Sequence, residues 1–154
     1  MTGTNFGQVF DEFQMLTADY RLTMLFNQSQ TDFATYLSGW LIFAIRDFTP
    51  ICSQDLSYDI SSQTFTSTLT DQNITILAQL MEKWWMEKNI NDIEQMNLHV
   101  LDKDFRVFSE SQNLTAKKER LSQLKEELSQ LLVDYRIQTN PWTNWYNGQF
   151  WPIP

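Results

Sequence analysis

The stretch NLTAKKERLSQLKEELSQLLVDY, Asn113 to Tyr135, settles what kind of protein this is. Leu114, Leu121, Leu128 and Tyr135 recur every seven residues, with Leu124 and Leu131 between them, so one apolar seam runs down a long helix. Lys117 interrupts an inner position and fewer than four heptads are present. The seam therefore predicts packing inside a bundle rather than a free coiled coil.

Working back from that helix, the rest of the chain repeats the helical period. Thr70 can cap a helix, with Leu69 and Ile74 placed as a hydrophobic staple. Ile74, Leu77, Ala78, Met81, Trp84 and Trp85 then mark its buried face, and Glu82, Lys83, Glu87 and Lys88 its outer one. A break is expected near Asn89, followed by a short helix over Asn91 to Leu98. Leu101 to Phe108 is undecided.

Upstream, Ser29 and Asp32 resemble a capping box. Phe33, Leu37, Trp40, Leu41, Ala44 and Phe48 follow at steps of three and four, ending before Pro50. Ile42, Phe43 and Ile45 add apolar area off that stripe, so this helix is expected at the centre of the core. Val9, Phe10, Phe13 and Leu16 predict a short first helix that must dock on something larger. Asp19 to Phe26 reads either as an extended connector or as a further helical turn. Between Thr49 and Thr70 the chain is Ser/Thr-rich; Leu56, Tyr58 and Ile60 either pair with Phe65 as a minor hairpin or belong to a long ordered loop that offers a contact surface. Glycine occurs only at 3, 7, 39 and 148, which leaves little material for tight sheet turns. The expected fold is all-α: a compact bundle of four to five helices over residues 1–139 with a Ser/Thr-rich loop, followed by an extended aromatic arm over 140–154.

That arm, NPWTNWYNGQFWPIP, carries Trp142, Trp145, Tyr146, Phe150 and Trp151 between Pro141, Pro152 and Pro154. Proline blocks helix extension and removes sheet donors. Aromatics in such a segment either fold back as a lid over their own bundle or form a docking arm, and the docking arm is the preferred expectation because Trp and Tyr dominate interface hot spots. Trp84 and Trp85 lie about 100° apart on their helix, so either one is core and Trp85 meets another subunit, or both sit in a wide core stripe.

Composition narrows the function. The 154 residues, with 42% hydrophobic and 19% charged positions, fit one globular domain. A net charge of −8 argues against gripping nucleic acid, which needs cations to neutralise phosphates. Cys52 is the one cysteine, so there is no intrachain disulfide and no thiolate zinc pattern. No apolar run reaches membrane-spanning length. Met1 opens no secretory pattern, so cytosolic synthesis is expected and the glycosylation acceptor patterns at Asn27, Asn73 and Asn113 read as chance. His99 lacks a nucleophile motif, and the Asp102/Asp104 and Asp55/Asp59 pairs lack the further oxygens of a calcium loop. The expectation is a non-enzyme with no catalytic residue, cofactor or metal.

The order of elements is similar to a known family. A short helix leads to DYRLTMLF, then FATYLSGWLIFAIRDF, DLSYDI, LTDQNITILAQLMEKWWMEKNINDIEQMN, DKDFRVFSESQNL and a Leu-rich helix ending LLVDYR. Over Phe10 to Arg136 this resembles the head-to-tail adaptor, or neck, proteins of tailed bacteriophages. The resemblance implies a structural virion protein, made in the host cytoplasm, that forms a homo-oligomeric ring, commonly of twelve subunits, between the portal protein and tail-side neck proteins. DNA would pass through the channel without specific binding. The other function class to weigh is a cytosolic tethering or regulatory module that recruits a partner through the Trp-rich tail.

Overall fold

The computed structural model describes residues 3–17, 20–99 and 107–139, with side chains through Gln95 and from Leu114 onward. Among them are helices α1 (Phe6–Leu16), α2 (Tyr20–Gln28), α3 (Gln30–Phe48), α4 (Asp71–His99) and α5 (Val107–Thr139). A two-stranded hairpin, β1 (Tyr58–Asp59) and β2 (Thr64–Phe65), lies between α3 and α4. The described body is all-α apart from this hairpin.

The seam that opened the sequence reading is the buried face of α5. Leu121, Leu124, Leu128 and Tyr135 are buried, and Leu131 is half-buried. It lies on α4, and the two helices run antiparallel. Gln72 hydrogen-bonds Gln138, Glu87 pairs with Lys125 at 2.9 Å, and Glu94 pairs with Lys118. As one residue number rises its partner's falls, so α4 and α5 form a long αα-hairpin whose apolar seam is flanked by ion pairs.

α4 is the hub. It packs against α1, α3 and α5, and buries residues around much of its circumference, including Asn73, Ile74, Ile76, Leu77, Leu80 and Met81. The central position expected for α3 thus belongs to α4. On α3 the stripe is buried at Phe33, Leu37, Leu41, Ala44 and Phe48 but only half-buried at Trp40; of the apolar residues off the stripe Ile45 is buried, while Phe43 remains 42% exposed. The break expected near Asn89 does not exist, and α4 is continuous to His99. Asn89 Nδ2 donates to the Trp85 carbonyl inside the helix, and Ile90 stays buried. Packing outweighs the modest helix propensity of Asn here.

The stretch left open between Asp19 and Phe26 is helical, as α2. Ser29 separates α2 from α3 and serves both: its N–H donates to Leu25 O, and its Oγ accepts from Asp32 N–H at 3.2 Å. Phe26 meets Phe33 edge-on across this corner, with centroids 5.2 Å apart. Only Leu22 of α2 is buried, so the helix is held by its corner as much as by its face.

The polar segment resolves as the hairpin, with Tyr58 opposite Phe65 and Asp59 opposite Thr64. Gln63 takes φ 52°, the left-handed turn that closes it. The chain start is stitched to this hairpin in a way the sequence did not announce. Phe65 N–H donates to Thr4 O at 2.8 Å, Phe6 N–H to Gln63 O at 2.9 Å, and Leu69 N–H to Thr4 Oγ1 at 2.8 Å. A Cβ on Gly3 would fall 1.7 Å from Phe65 O, so glycine is what permits the approach. Beneath it Phe6 stacks on Phe65 at 5.0 Å and on Phe10 at 6.2 Å, joining α1 to the hairpin.

The far side of the segment is tied to α5. The Tyr135 hydroxyl accepts from Ser53 N–H at 3.1 Å, lies 2.9 Å from Ser53 Oγ, and is 3.6 Å from Cys52 Sγ. Its ring packs edge-on against Phe48 at 5.2 Å. Gln54 Oε1 receives Thr70 N–H at 2.9 Å and Asn73 Nδ2 at 2.6 Å, fixing the start of α4. Asn73 is 1% exposed with its amide so engaged, which leaves no room for a glycan on the folded chain.

Candidate interaction surface

Of the residues considered for chemistry, Asp55, Asp59 and Cys52 are engaged in holding the fold. Asp55 Oδ1 accepts from the backbone and side chain of Ser57, and Asp59 does the same with Ser61 and adds Ser62. Those hydrogen bonds from serine hold both carboxyls below the usual aspartate range. Both are turn-capping acids. Cys52 is a half-buried free thiol packed at the Tyr135 knot. His99 is the last residue of α4. Asp102 and Asp104 lie outside the described residues, as do Trp142, Trp145, Tyr146, Phe150 and Trp151. Among the described residues no three or more His, Cys, Asp or Glu side chains converge as a metal site would, and no helix is long and apolar enough to cross a membrane.

Glu82 is the one acid buried without an ion pair of its own among the described residues. Burial raises its carboxyl above the usual glutamate range; Arg120 opposes the shift and Glu127 adds to it. It faces α5, where it loads the helix–helix seam.

Trp84 and Trp85 point to different neighbours. Trp85 is half-buried, with its ring edge-on to Phe13 at 6.4 Å, so it covers the core of its own chain. Its outer edge lines a cleft of about 210 Å³ with Arg21, Tyr36, Lys88 and Asp92. Lys88, bonded to Asp92, is raised above the usual lysine range by that hydrogen bond. Trp84 turns toward α3. Its Nε1–H donates to Asp47 Oδ2 at 2.9 Å, its ring lies 5.4 Å from that of Phe43, and Lys83 Nζ sits 4.3 Å above it while bonding the same Asp47 oxygen at 2.6 Å.

The surface these residues build is largely apolar, and among the described residues no other element covers it. Tyr36, Trp40 and Phe43 stack in succession along α3, at 5.9 and 6.3 Å, and Phe43 passes the contact on to Trp84. Tyr36 and Phe43 are exposed, whereas the indole N–H of Trp40 is buried, with no acceptor among the described residues. Where the stripe meets Asp47 and Lys83, a groove of about 330 Å³ opens between α3 and α5, floored by Leu80 and walled by Lys125, Leu128 and Leu132. Beyond it Val133 and Ile137 are exposed on α5, and at the other flank Met15, Tyr20 and Met24 are exposed on α1 and α2. The sequence reading counted Trp40 and Phe43 as core. The available signal was that Tyr36, Trp40 and Phe43 form a second i, i+4, i+7 row beside Leu37, Leu41, Ala44 and Phe48, and one helix face cannot bury both. Tyr20 and Met24 belong to the Asp19 to Phe26 stretch whose conformation the sequence leaves open, and Met15 falls off the Val9, Phe10, Phe13 face of α1.

Compared with known proteins, the chain matches no described family, and neither a curated protein nor a solved structure is detectably similar to it.

Proposed function

We propose that this chain is a structural, non-enzymatic interaction protein: an adaptor subunit that assembles with copies of itself into a ring, between the portal and the tail-side neck proteins of a tailed-phage virion. The observation that carries the reading is the exposed apolar surface, divided between the Tyr36–Phe43 stripe, the Val133/Ile137 end of α5 and the Met15/Tyr20/Met24 flank. Contiguous apolar area of this kind marks surfaces that meet protein. Different patches on different elements suit a heterologous contact, the kind that closes rings. The element order quoted above supports the adaptor role in particular. The net charge of −8 suits a channel wall that DNA passes without adhering. Trp142, Trp145, Tyr146, Phe150 and Trp151 supply the docking arm, and the protein uses no cofactor.

Native mass spectrometry of the full-length chain tests this. A single closed oligomer of many subunits is the expected result. A chain that stays monomeric or dimeric at every concentration at which it is soluble refutes the ring and leaves the tethering module as the surviving class.

A further inference from the structure

We propose that the groove between α3 and α5, together with the aromatic stripe that continues it, is the receptor for the 140–154 arm of a neighbouring copy. The proposal rests on the adaptor reading above and gives its ring a specific joint.

Three observations carry it. The first is chemical match. The arm has no charged side chain, so it approaches a chain of net charge −8 without Coulomb cost. Pro-flanked aromatic segments favour extended conformers that dock on aromatic-lined surfaces, and here Tyr36, Trp40, Phe43 and Trp84 provide one.

The second is length. From Leu80 to Lys88, the part of α4 that floors the receptor spans about 12 Å at 1.5 Å per residue. Fifteen arm residues extend to about 46 Å at 3.1 Å each. The arm is therefore several times longer than the stretch of α4 it would cover, which leaves length to reach it from another copy.

The third is direction. α5 ends at Thr139 beside the start of α4, because Gln138 bonds Gln72. The receptor lies back toward the middle of α4. To fill its own groove the arm must reverse direction where α5 ends, since the groove's α5 wall, Lys125 to Leu132, lies back along the helix. A neighbour's groove needs no such reversal.

The test mixes isotopically light full-length chains, carrying a photo-crosslinking amino acid in place of Trp145, with heavy unmodified full-length chains. Crosslinked peptides are then mapped. The expected result is light-to-heavy crosslinks into the tryptic region holding Trp40 to Arg46 or into Trp84 to Lys88. Phe43→Asp on the heavy chain, at an exposed position that leaves the core intact, should lower their yield by about tenfold. Crosslinks found only within one chain overturn the proposal and make the arm a lid. Light-to-heavy crosslinks elsewhere, or a yield unchanged by Phe43→Asp, also overturn it. If native mass shows a ring in these cases the adaptor reading stands without this joint. If no crosslink forms and no ring is seen, both fall.

Discussion

Replacing Tyr135 separates two contributions to how the end of α5 is held. The hydroxyl takes Ser53 N–H at 3.1 Å and Ser53 Oγ at 2.9 Å, while the ring, 2% exposed, packs on Phe48 at 5.2 Å. Tyr135→Phe removes only the first. Ser53 is exposed, so water reaches its N–H when the phenol oxygen is gone, and the loss is that of an ordinary hydrogen bond, about 1 kcal/mol. Tyr135→Ala also removes a buried aromatic ring and leaves a cavity, for a total of about 3–5 kcal/mol. Subtracting the hydroxyl leaves about 2–4 kcal/mol for the ring, which therefore outweighs the hydroxyl roughly two- to fourfold. Urea unfolding followed by far-UV circular dichroism reads both, provided m is unchanged between variants. At about 2–4 °C per kcal/mol, Tyr135→Phe shifts Tm by only a few degrees. A third variant, Ser53→Ala, closes a double-mutant cycle that isolates the Oγ contact, with a coupling of about 0.5 kcal/mol or more. The reasoning is refuted if Tyr135→Phe costs as much as Tyr135→Ala, or if Tyr135→Ala costs less than about 1.5 kcal/mol.

Three further outcomes follow from the same structure. Glu82→Gln stabilises the fold at neutral pH: the folded carboxyl titrates above its unfolded value, so ionised Glu82 subtracts stability as pH rises through that interval, and the variant's advantage in Tm should be present near pH 7 and vanish near pH 4. An advantage larger at the acid end would reverse the assigned cause. Gly3→Ala forces the chain start off β2, since its Cβ would meet Phe65 O at 1.7 Å; hydrogen exchange at Phe6 and Leu69 amides should rise, with a stability loss of about 1–3 kcal/mol, and unchanged protection would disprove the clash. Deleting residues 140–154 should leave helical circular dichroism and Tm within about 2 °C of the full chain while abolishing the oligomer, whereas cooperative unfolding on deletion would show the arm to be a lid.

What could be read from sequence was whatever depends on period. The α5 seam, the α3 stripe apart from half-buried Trp40, and the start of α4 follow from 3.6-residue spacing and cap chemistry, and each is where it was expected. Two kinds of information escaped. Continuity of α4 past Asn89 depends on α5 lying alongside, which local propensity does not register. The seating of Gly3 to Phe6 on the hairpin depends on residues about sixty apart in sequence, whose pairing leaves no periodic trace. Among candidate site residues, Trp85 was singled out by its angle to Trp84 on the helix, while its packing on Phe13 is a tertiary fact that helical spacing does not register. The exposed Tyr36–Phe43 row was hidden because its aromatics look like core until the partner face is filled.

The segment between α3 and α4 is sewn from both sides, by Thr4 across 65 residues to Leu69 and by Tyr135 across 82 residues to Ser53. During synthesis, Thr4 has long been available when Ser53 emerges, whereas Tyr135 has not. The α3–α4 connection must therefore wait, half fastened, until nearly all of α5 has left the ribosome. For that interval Phe48 lacks the ring that covers it, and the nascent chain is open there to proteases and chaperones. The end of α5 acts as the clasp, so a chain truncated before Tyr135 should be cleared quickly even though three of the four preceding helices would already have their partners.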